Sequence, residues 1–312
     1  MRAVVFSRYG SSDVLTIEEL DVPKIKSGQV LVKVDHAALN PKDVLVRKGK
    51  FRMFTGNRFP IQGGFEMSGV VEQSDTPDFK PSDEVFGMVN GWTGRCLAEY
   101  VAINEYEIAH KPANISHAEA SSIPLVGQTV LQALRDIGNV KPNNTLLING
   151  ASGGVGSIAI QVAKILGANV TSVASAKNKA FCIDLGSDHF IDYAEVDILQ
   201  MDQSFDIIMD AFGNNKFSSV RHLLKRRGCF ITTVPSANIF KSMLLNAFRT
   251  QKSSLVNVKS KQKDLKWLAS QIIEEKIKPV IQTVLPMEEI RQAHDLIETK
   301  RTRGKITLKV KK

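Results

Sequence analysis

A glycine-rich turn between an apolar strand and an amphipathic helix restricts the fold of this chain more than any other feature. Residues 146–161 read Leu-Leu-Ile-Asn-Gly-Ala-Ser-Gly-Gly-Val-Gly-Ser-Ile-Ala-Ile-Gln. In βαβ units such a turn lets backbone N–H groups approach a dinucleotide pyrophosphate, and the helix N-terminus adds donors for its oxygens. The sequence therefore predicts a pyrophosphate site at Ser152, Gly153, Gly154, Val155 and Gly156. Because Ala151 replaces the first fingerprint glycine, a tight turn without a ligand is the alternative.

The pattern along the chain predicts two domains. From about Thr129, apolar strands alternate with helical stretches, which is typical of a parallel sheet. The first third contains short alternating strands and turns, and the tail 304–310 alternates in the same way. We therefore predict an α/β fold with a doubly wound, Rossmann-type parallel sheet domain at 123–278. A second domain would combine residues 1–122 and 279–312.

The end of the second predicted strand indicates the cofactor. Sites that prefer NADH usually place an acidic residue there to bind the ribose 2′-OH. The stretch Val173–Lys179 has no carboxylate and instead offers Ser175, Lys177 and Lys179. Hydroxyl and ammonium groups suit a 2′-phosphate, so the sequence predicts NADPH.

Composition and charge exclude several other classes. The 312 residues carry a formal net charge of +9, but the basic residues are scattered and form no nucleic-acid-binding module, so no nucleic acid partner is expected. No apolar run approaches the ~18 residues of a membrane span, and the N-terminus resembles no signal peptide. A cytoplasmic location is expected. Cys96, Cys182 and Cys229 are too far apart in sequence for a disulfide framework.

Several ordered motifs resemble one protein family over essentially the whole chain. They are Asn40-Pro41-Lys42-Asp43, Pro60 to Gly69 with Glu66, Asp83 to Gly87, Ala98 to Val101, Gly127-Gln128-Thr129, the glycine turn, and Arg303-Gly304-Lys305. Together they resemble the zinc-independent quinone oxidoreductase branch of the medium-chain dehydrogenase/reductase superfamily. The resemblance implies a GroES-like β-barrel domain beside the Rossmann-type domain, with the active site in the cleft between them.

The resemblance also implies roles for individual residues. Asn40 and Asp43 match the family's active-site Asn and Asp. Leu45 and Phe51 stand where many relatives have two pocket tyrosines, so a more apolar substrate pocket is expected. The remaining matches are cofactor contacts: Thr129 beside the nicotinamide, Tyr193 near the 2′-phosphate, Phe212 and Gly213 in a turn lining the cofactor, and Arg303 and Lys305 at the C-terminal contact.

No metal is expected. Zinc-dependent relatives have a cysteine and a histidine as catalytic ligands, where this chain has Asn40 and Phe65. Neither an amide nor a phenyl group replaces the N and S ligands of tetrahedral zinc. The closely spaced cysteines of a structural zinc site are also missing from the sequence.

These features predict an NADPH-dependent oxidoreductase that transfers hydride to electron-poor conjugated carbonyls, most simply quinones. Reduction of 2-alkenals or enones on the same scaffold is an alternative, and a catalytically weak NADPH-binding regulatory protein is another. We predict a homodimer joined through Ser254–Val258, an apolar strand suited to a sheet edge. Residues 239–249 suit either an anionic membrane or a helix with one face on the core, and the second is favoured.

Overall fold

The computed structural model describes residues 1–311 and divides into two compact units. The first unit comprises residues 1–128 and the chain from 259 onward, and the second comprises Thr129–Val258. Each unit is built around its own sheets. The fold is mixed α/β, as the sequence predicts.

The first unit is mainly antiparallel β-structure. Its strands are β1 (Arg2–Phe6), β2 (Leu15–Glu19), β3 (Gln29–Leu39), β4 (Ile61–Gln62), β5 (Glu66–Ser74), β6 (Glu84–Met88), β7 (Tyr100–Asn104), β8 (Ile108–His110), β15 (Ile281–Pro286) and β16 (Lys305–Lys309). Its helices are α1 (Pro41–Arg47), α2 (Arg52–Thr55), α3 (His117–Ser121), most of α4 (Pro124–Leu131), α9 (Gln262–Ile273) and α10 (Ile290–Glu298). A seven-stranded sheet has the order β15-β16-β3-β5-β6-β8, with β7 paired to β3, and a three-stranded sheet has the order β2-β1-β4.

The C-terminal tail completes the sheet of the first unit. Strand β16 pairs antiparallel with β3, so Ile306 lies opposite Leu39 and Lys309 opposite His36. Strand β16 is buried from Lys305 to Leu308 and β3 over most of its length, so both strands lie within the sheet rather than on its surface. The expected return of the C-terminal segment to the N-terminal domain is observed.

The segment 259–278 packs with the first unit. The side chain of Asn114 donates to the Ile272 carbonyl at 2.9 Å, and that of Gln262 donates to the Glu105 carbonyl at 3.2 Å. Helix α9 buries Leu265 and Leu268. The domain boundaries predicted from the sequence placed this segment in the nucleotide-binding domain. These boundaries stay a prediction.

The second unit is a six-stranded parallel sheet with helices. Its strands are β9 (Thr145–Asn149), β10 (Asn169–Ala174), β11 (His189–Asp192), β12 (Phe205–Asp210), β13 (Leu224–Thr232) and β14 (Lys252–Leu255), and its helices are α5 (Gly154–Ile165), α6 (Lys179–Asp184), α7 (Phe217–Val220) and α8 (Ala237–Leu244). A π-helical turn spans Gln132–Ile137. The strand order is β11-β10-β9-β12-β13-β14, so β14 lies at one edge.

That order defines where a ligand can bind. Numbered along the chain, the six strands lie in the order 3-2-1-4-5-6, and the direction of winding reverses between β9 and β12. In open α/β sheets the crevice at the carboxyl ends of these two strands is the ligand site. Strand β9 ends at Asn149 and β12 ends at Asp210, so the glycine turn and the Phe212-Gly213 turn both lie there.

Candidate active site

Asn40 and Asp43 meet at the start of α1. Asn40 is the N-cap residue, with extended backbone, and Pro41 opens the helix, a position that suits proline because the first N–H groups are not bonded within the helix. The Asp43 carboxylate accepts the backbone N–H of Asn40 at 2.9 Å and that of Gly64 at 3.1 Å. Burial raises the pKa of Asp43 to about 6, although these two N–H groups act in the opposite direction.

A buried ion pair orients the Asn40 side chain. The Lys305 ammonium donates to the Asn40 amide oxygen at 2.6 Å, to Glu66 Oε1 at 2.7 Å and to the Leu39 carbonyl at 2.7 Å. Asn40 Nδ2 donates to the same Glu66 oxygen at 2.8 Å. Because an ammonium only donates and a carboxylate only accepts, the amide has one satisfactory orientation.

The position of Lys305 differs from the predicted cofactor contact. Its side chain is buried, and the three N–H groups of its ammonium already have three acceptors. An ammonium has no fourth donor for a phosphate. The structure thus groups Lys305 with Asn40 and Glu66, and Glu66 in turn accepts the Leu125 N–H at 2.7 Å.

Three aromatic side chains from α2, its N-cap and a nearby loop contact one another. Phe54 stacks on Trp92 with ring centroids 4.2 Å apart and planes 12° apart, and Phe51 contacts Trp92 at 5.4 Å. We call Phe51, Phe54 and Trp92 the aromatic cluster. Phe51 and Leu45, the predicted substrate-pocket residues, are both half-buried, whereas Phe54 and Trp92 are exposed. The cluster offers flat apolar surface to solvent.

Phe65 occupies the position where zinc-dependent relatives have a histidine. Its ring is buried and lies 3.8 Å from the Lys42 ammonium, which also donates to the Gly91 carbonyl at 2.9 Å. Burial lowers the pKa of Lys42. Within residues 1–311, no cluster of three or more His, Cys, Asp or Glu side chains could hold a metal ion.

The glycine turn of the second unit packs closely against the start of α5. Gly150 has a φ of +80°, and Gly153 caps α5 without a side chain. A Cβ on Gly156 would lie 2.2 Å from the Gly150 carbonyl oxygen, so only glycine allows α5 to approach the turn this closely. A Cβ on Gly153 would meet that oxygen at an ordinary 3.5 Å.

Asp210 joins the two turns at the switch point. Its buried carboxylate accepts the Asn149 side-chain N–H at 2.8 Å and the backbone N–H groups of Gly213 and Asn215 at 2.8 and 2.9 Å. The predicted cofactor residues Phe212 and Gly213 therefore lie next to the glycine turn, where a Cβ on Gly150 would touch Phe212 at 3.0 Å.

Asn178 brings two of the predicted cofactor residues together. Its side-chain amide donates to the hydroxyl oxygens of Ser152 and Ser175, both at 3.1 Å. Lys177 and Lys179 flank it with exposed side chains. Tyr193, which follows β11, is also exposed, and its backbone N–H donates to the Ala174 carbonyl at 3.3 Å. Sheet register also brings Asp192 beside Ala174.

The two remaining predicted cofactor residues are Thr129 and Arg303. Thr129 is buried within α4. Arg303 is exposed in the turn before β16, where its backbone N–H donates to the Gln282 side chain at 2.6 Å.

Four residues of these sites were missed as site residues from sequence alone: Glu66, Trp92, Asn178 and Asp210. Two gave a usable signal, since Glu66 and Asp210 are acids at the ends of strands beside apolar residues, where a charge without a function or a partner would be costly. Trp92 and Asn178 lie in loops of ordinary composition and gave none.

The fold, the Asn40–Glu66–Lys305 group and the glycine turn beside Asp210 are typical of dinucleotide-binding oxidoreductases. The family model described as "Alcohol dehydrogenase GroES-like domain" matches residues 26–113, and the model described as "Zinc-binding dehydrogenase" matches residues 185–308. The bovine mitochondrial NAD(P)H oxidoreductase RTN4IP1 is 31% identical, with 99% of this chain and 89% of that protein covered.

Two more relatives agree with this class. A chloroplastic NADPH-dependent alkenal/one oxidoreductase of Arabidopsis thaliana is 34% identical, covering 99% of this chain and 79% of that protein. The solved quinone oxidoreductase of Coxiella burnetii superposes with a TM-score of 0.91 at 31% identity, covering 100% of this chain and 99% of that one. The chain belongs to the quinone oxidoreductase branch of the medium-chain dehydrogenase/reductase superfamily and is an NAD(P)H-dependent oxidoreductase.

Proposed function

We propose that this chain uses NADPH to reduce electron-poor conjugated carbonyl compounds, with quinones as the first candidates, without a catalytic metal. The Asn40 side chain carries the proposal. Lys305 holds its oxygen and Glu66 accepts one N–H, so the orientation of this buried amide is fixed, and we assign its second N–H to a substrate oxygen.

This geometry suits a conjugated acceptor. The cofactor, when bound, supplies a hydride from its nicotinamide ring. Conjugation delocalises the negative charge that then develops toward the substrate oxygen. A fixed amide N–H stabilises such charge without reorganisation, which is the principle of an oxyanion hole. Water can supply the proton.

The donor set supports chemistry without zinc. Asn40 and Phe65 stand at the places of zinc ligands, and the Lys305 ammonium already provides a cation among the oxygens of Asn40, Glu66 and Leu39. A zinc ion and this ammonium would compete for the same acceptors. The "Zinc-binding dehydrogenase" description belongs to the family model that matches this chain.

Reduction of 2-alkenals and enones is the second candidate. The aromatic cluster and the half-buried Leu45 favour lipophilic acceptors, and the Arabidopsis relative is named for alkenals and enones. A polar quinone would instead profit from the phenol groups that Leu45 and Phe51 lack. Both substrate classes accept hydride in the same way, so they can share one site.

Steady-state NADPH consumption with a panel of acceptors tests the proposal. We expect turnover with a benzoquinone or a 2-alkenal, and no reduction of NADP+ when a saturated alcohol is supplied instead. Asn40→Ala should lower kcat/KM about a hundredfold, as loss of one oxyanion donor does. Asn169→Ala is the control, because Asn169 is exposed and lies at the first position of β10. NADPH binding without turnover of any acceptor would favour the regulatory alternative and contradict the proposal.

We propose further that NADPH is preferred over NADH. Lys177, Lys179 and Ser175 offer two cations and a hydroxyl, and each charge-assisted contact to a phosphate contributes about tenfold in affinity. Lys177→Ala and Lys179→Ala should each weaken NADPH selectively in isothermal titration, while Lys141→Ala should not. Ser175→Asp should weaken NADPH by repulsion. Equal wild-type affinity for NADH, to which Asp192 could contribute, would contradict this assignment.

Two other properties remain proposals. A homodimer could form through the Ser254–Val258 segment, which overlaps β14 at the edge of the parallel sheet; a monomer in light scattering would contradict it. A cytoplasmic location stays a prediction, since several relatives carry mitochondrial or chloroplastic names.

A further inference from the structure

Helix α8 has two apolar faces, and only one of them is used by the core. Ile239 is buried and Met243 packs against the same cluster, which accounts for one face. Phe240, Leu244 and Phe248 follow one another at intervals of four, and their side chains are 52%, 80% and 87% exposed. Phe240 and Leu244 lie one turn apart on the same side of α8, and Phe248 follows in the next turn of the chain. We call these three residues the apolar stripe.

The fold holds the apolar stripe in a fixed position. Phe248 belongs to a short 3-10 helix, Asn246–Phe248, that follows α8 after Leu245. The Asn246 side chain donates to the Ser253 carbonyl at 2.7 Å and accepts the Ser253 N–H at 3.0 Å, which fastens this segment to β14. The exposure of the stripe is therefore a property of an ordered element.

Two lysines lie close to the apolar stripe, in a segment that is basic in composition. Residues 211–258 contain four Lys, four Arg and no Asp or Glu. Lys241 is exposed on α8, and Lys252 donates to the Asn246 carbonyl, beside the stripe. The Arg249 guanidinium lies 5.5 Å from the centre of the Phe217 ring. Apolar aromatic and aliphatic side chains flanked by cations match the interface of an anionic bilayer, where acyl chains lie beneath negative headgroups.

We propose that the apolar stripe and its flanking lysines bind this chain to the surface of an anionic lipid bilayer. The attachment is peripheral: among the helices of residues 1–311, none is long and apolar enough to cross a membrane. Phe240, Leu244 and Phe248 enter the headgroup region while Lys241 and Lys252 pair with lipid phosphates. This binding goes beyond the proposed reductase activity and does not depend on it.

Co-sedimentation of the full chain with vesicles tests the proposal. We expect binding to phosphatidylcholine vesicles that contain phosphatidylglycerol, and at least about tenfold weaker binding to phosphatidylcholine alone or at high salt. The triple variant Phe240→Ser, Leu244→Ser, Phe248→Ser should lose at least about tenfold in the partition constant. Lys241→Ala should lose about fivefold.

Matched controls lie on α9 and its C-terminal end. Ile273→Ser removes a 60% exposed aliphatic side chain, and Lys266→Ala removes an exposed cation, and neither should change vesicle binding. Circular dichroism and thermal unfolding verify that the variants fold.

Two outcomes would overturn the proposal. The first is vesicle binding that the stripe variant leaves unchanged. The second is a native chain that does not bind the anionic vesicles. If the stripe variant then turns a dimer into a monomer in light scattering, the stripe is a subunit contact. Neither outcome affects the reductase proposal, since acceptor turnover is measured without vesicles.

Discussion

Lys305 is buried as a charged residue, and its energetic role follows from its partners. With Glu66 it forms an ion pair at 2.7 Å in which both side chains are nearly inaccessible to solvent. The Coulomb attraction in such a pair mainly offsets the cost of removing two charges from water. Its distinctive contribution is therefore the orientation of Asn40, which neither charge alone could fix.

A double-mutant cycle with Lys305→Met, Glu66→Gln and the double variant measures this role. Lys305→Met leaves the Glu66 carboxylate buried without its cation and should lower the free energy of unfolding by about 3–5 kcal/mol. Adding Glu66→Gln removes the unpaired charge, so the double variant should recover part of that loss in urea denaturation. Acceptor turnover should stay low in both variants because Asn40 has lost its orientation. If the double variant is no more stable than Lys305→Met, the two residues do not act as a pair.

Residues that lie close together in sequence are the easiest to group without a structure. Asn40 and Asp43 lie three positions apart at a helix start, which alone brings them together. Lys305 is 265 residues from Asn40 in sequence, and only the pairing of β16 with β3 makes them neighbours. The resemblance implied a C-terminal cofactor contact at Lys305, and its pairing with the buried carboxylate of Glu66 could not be read from the sequence.

At the scale of elements, two glycines between β9 and α5 have different roles. Gly156 permits close packing of helix on turn, whereas Gly153 leaves its side open to a ligand. The two positions should respond differently to the same added methyl group.

Gly156→Ala should destabilise the fold. The new Cβ would lie 2.2 Å from the Gly150 carbonyl oxygen, and α5 must shift to relieve this contact. The gain of up to about 1 kcal/mol that alanine brings inside a helix would not compensate for an overpacking cost of about 1–3 kcal/mol. Gly153→Ala should fold normally, yet bind NADPH more weakly, because its methyl group occupies the space in which phosphates approach. Thermal unfolding and isothermal titration separate the two effects; equal stability of both variants would contradict them.

Strand and helix periodicity predicted the parallel sheet, because its buried central strands are nearly continuous apolar runs that alternate with helical stretches. The strand expected at 254–258 is shifted and shorter in the structure, at Lys252–Leu255, since an edge strand has a partner on one side only. Within the segment 239–249, α8 buries Ile239 in the core, as favoured, while Phe240 and Leu244 stay exposed, the feature on which the membrane alternative rests.

At the scale of the whole molecule, the positive charge is unevenly distributed. Residues 211–258 have a formal charge of +8, from four Lys and four Arg without an acid, out of +9 for the complete chain. A concentrated positive field raises the local concentration of anions and speeds their association. Such a region suits both an anionic bilayer and the approach of a negatively charged cofactor.

Metal-free reduction by NADPH is the central claim for the molecule. The most direct measurement combines elemental analysis with quinone-dependent NADPH consumption before and after treatment with a strong chelator. We predict far less than one zinc per chain, an unchanged rate after chelation and no increase when zinc is added, because Lys305 already fills the cation position beside Asn40 and Glu66. One tightly held zinc per chain whose removal abolishes turnover would contradict this account.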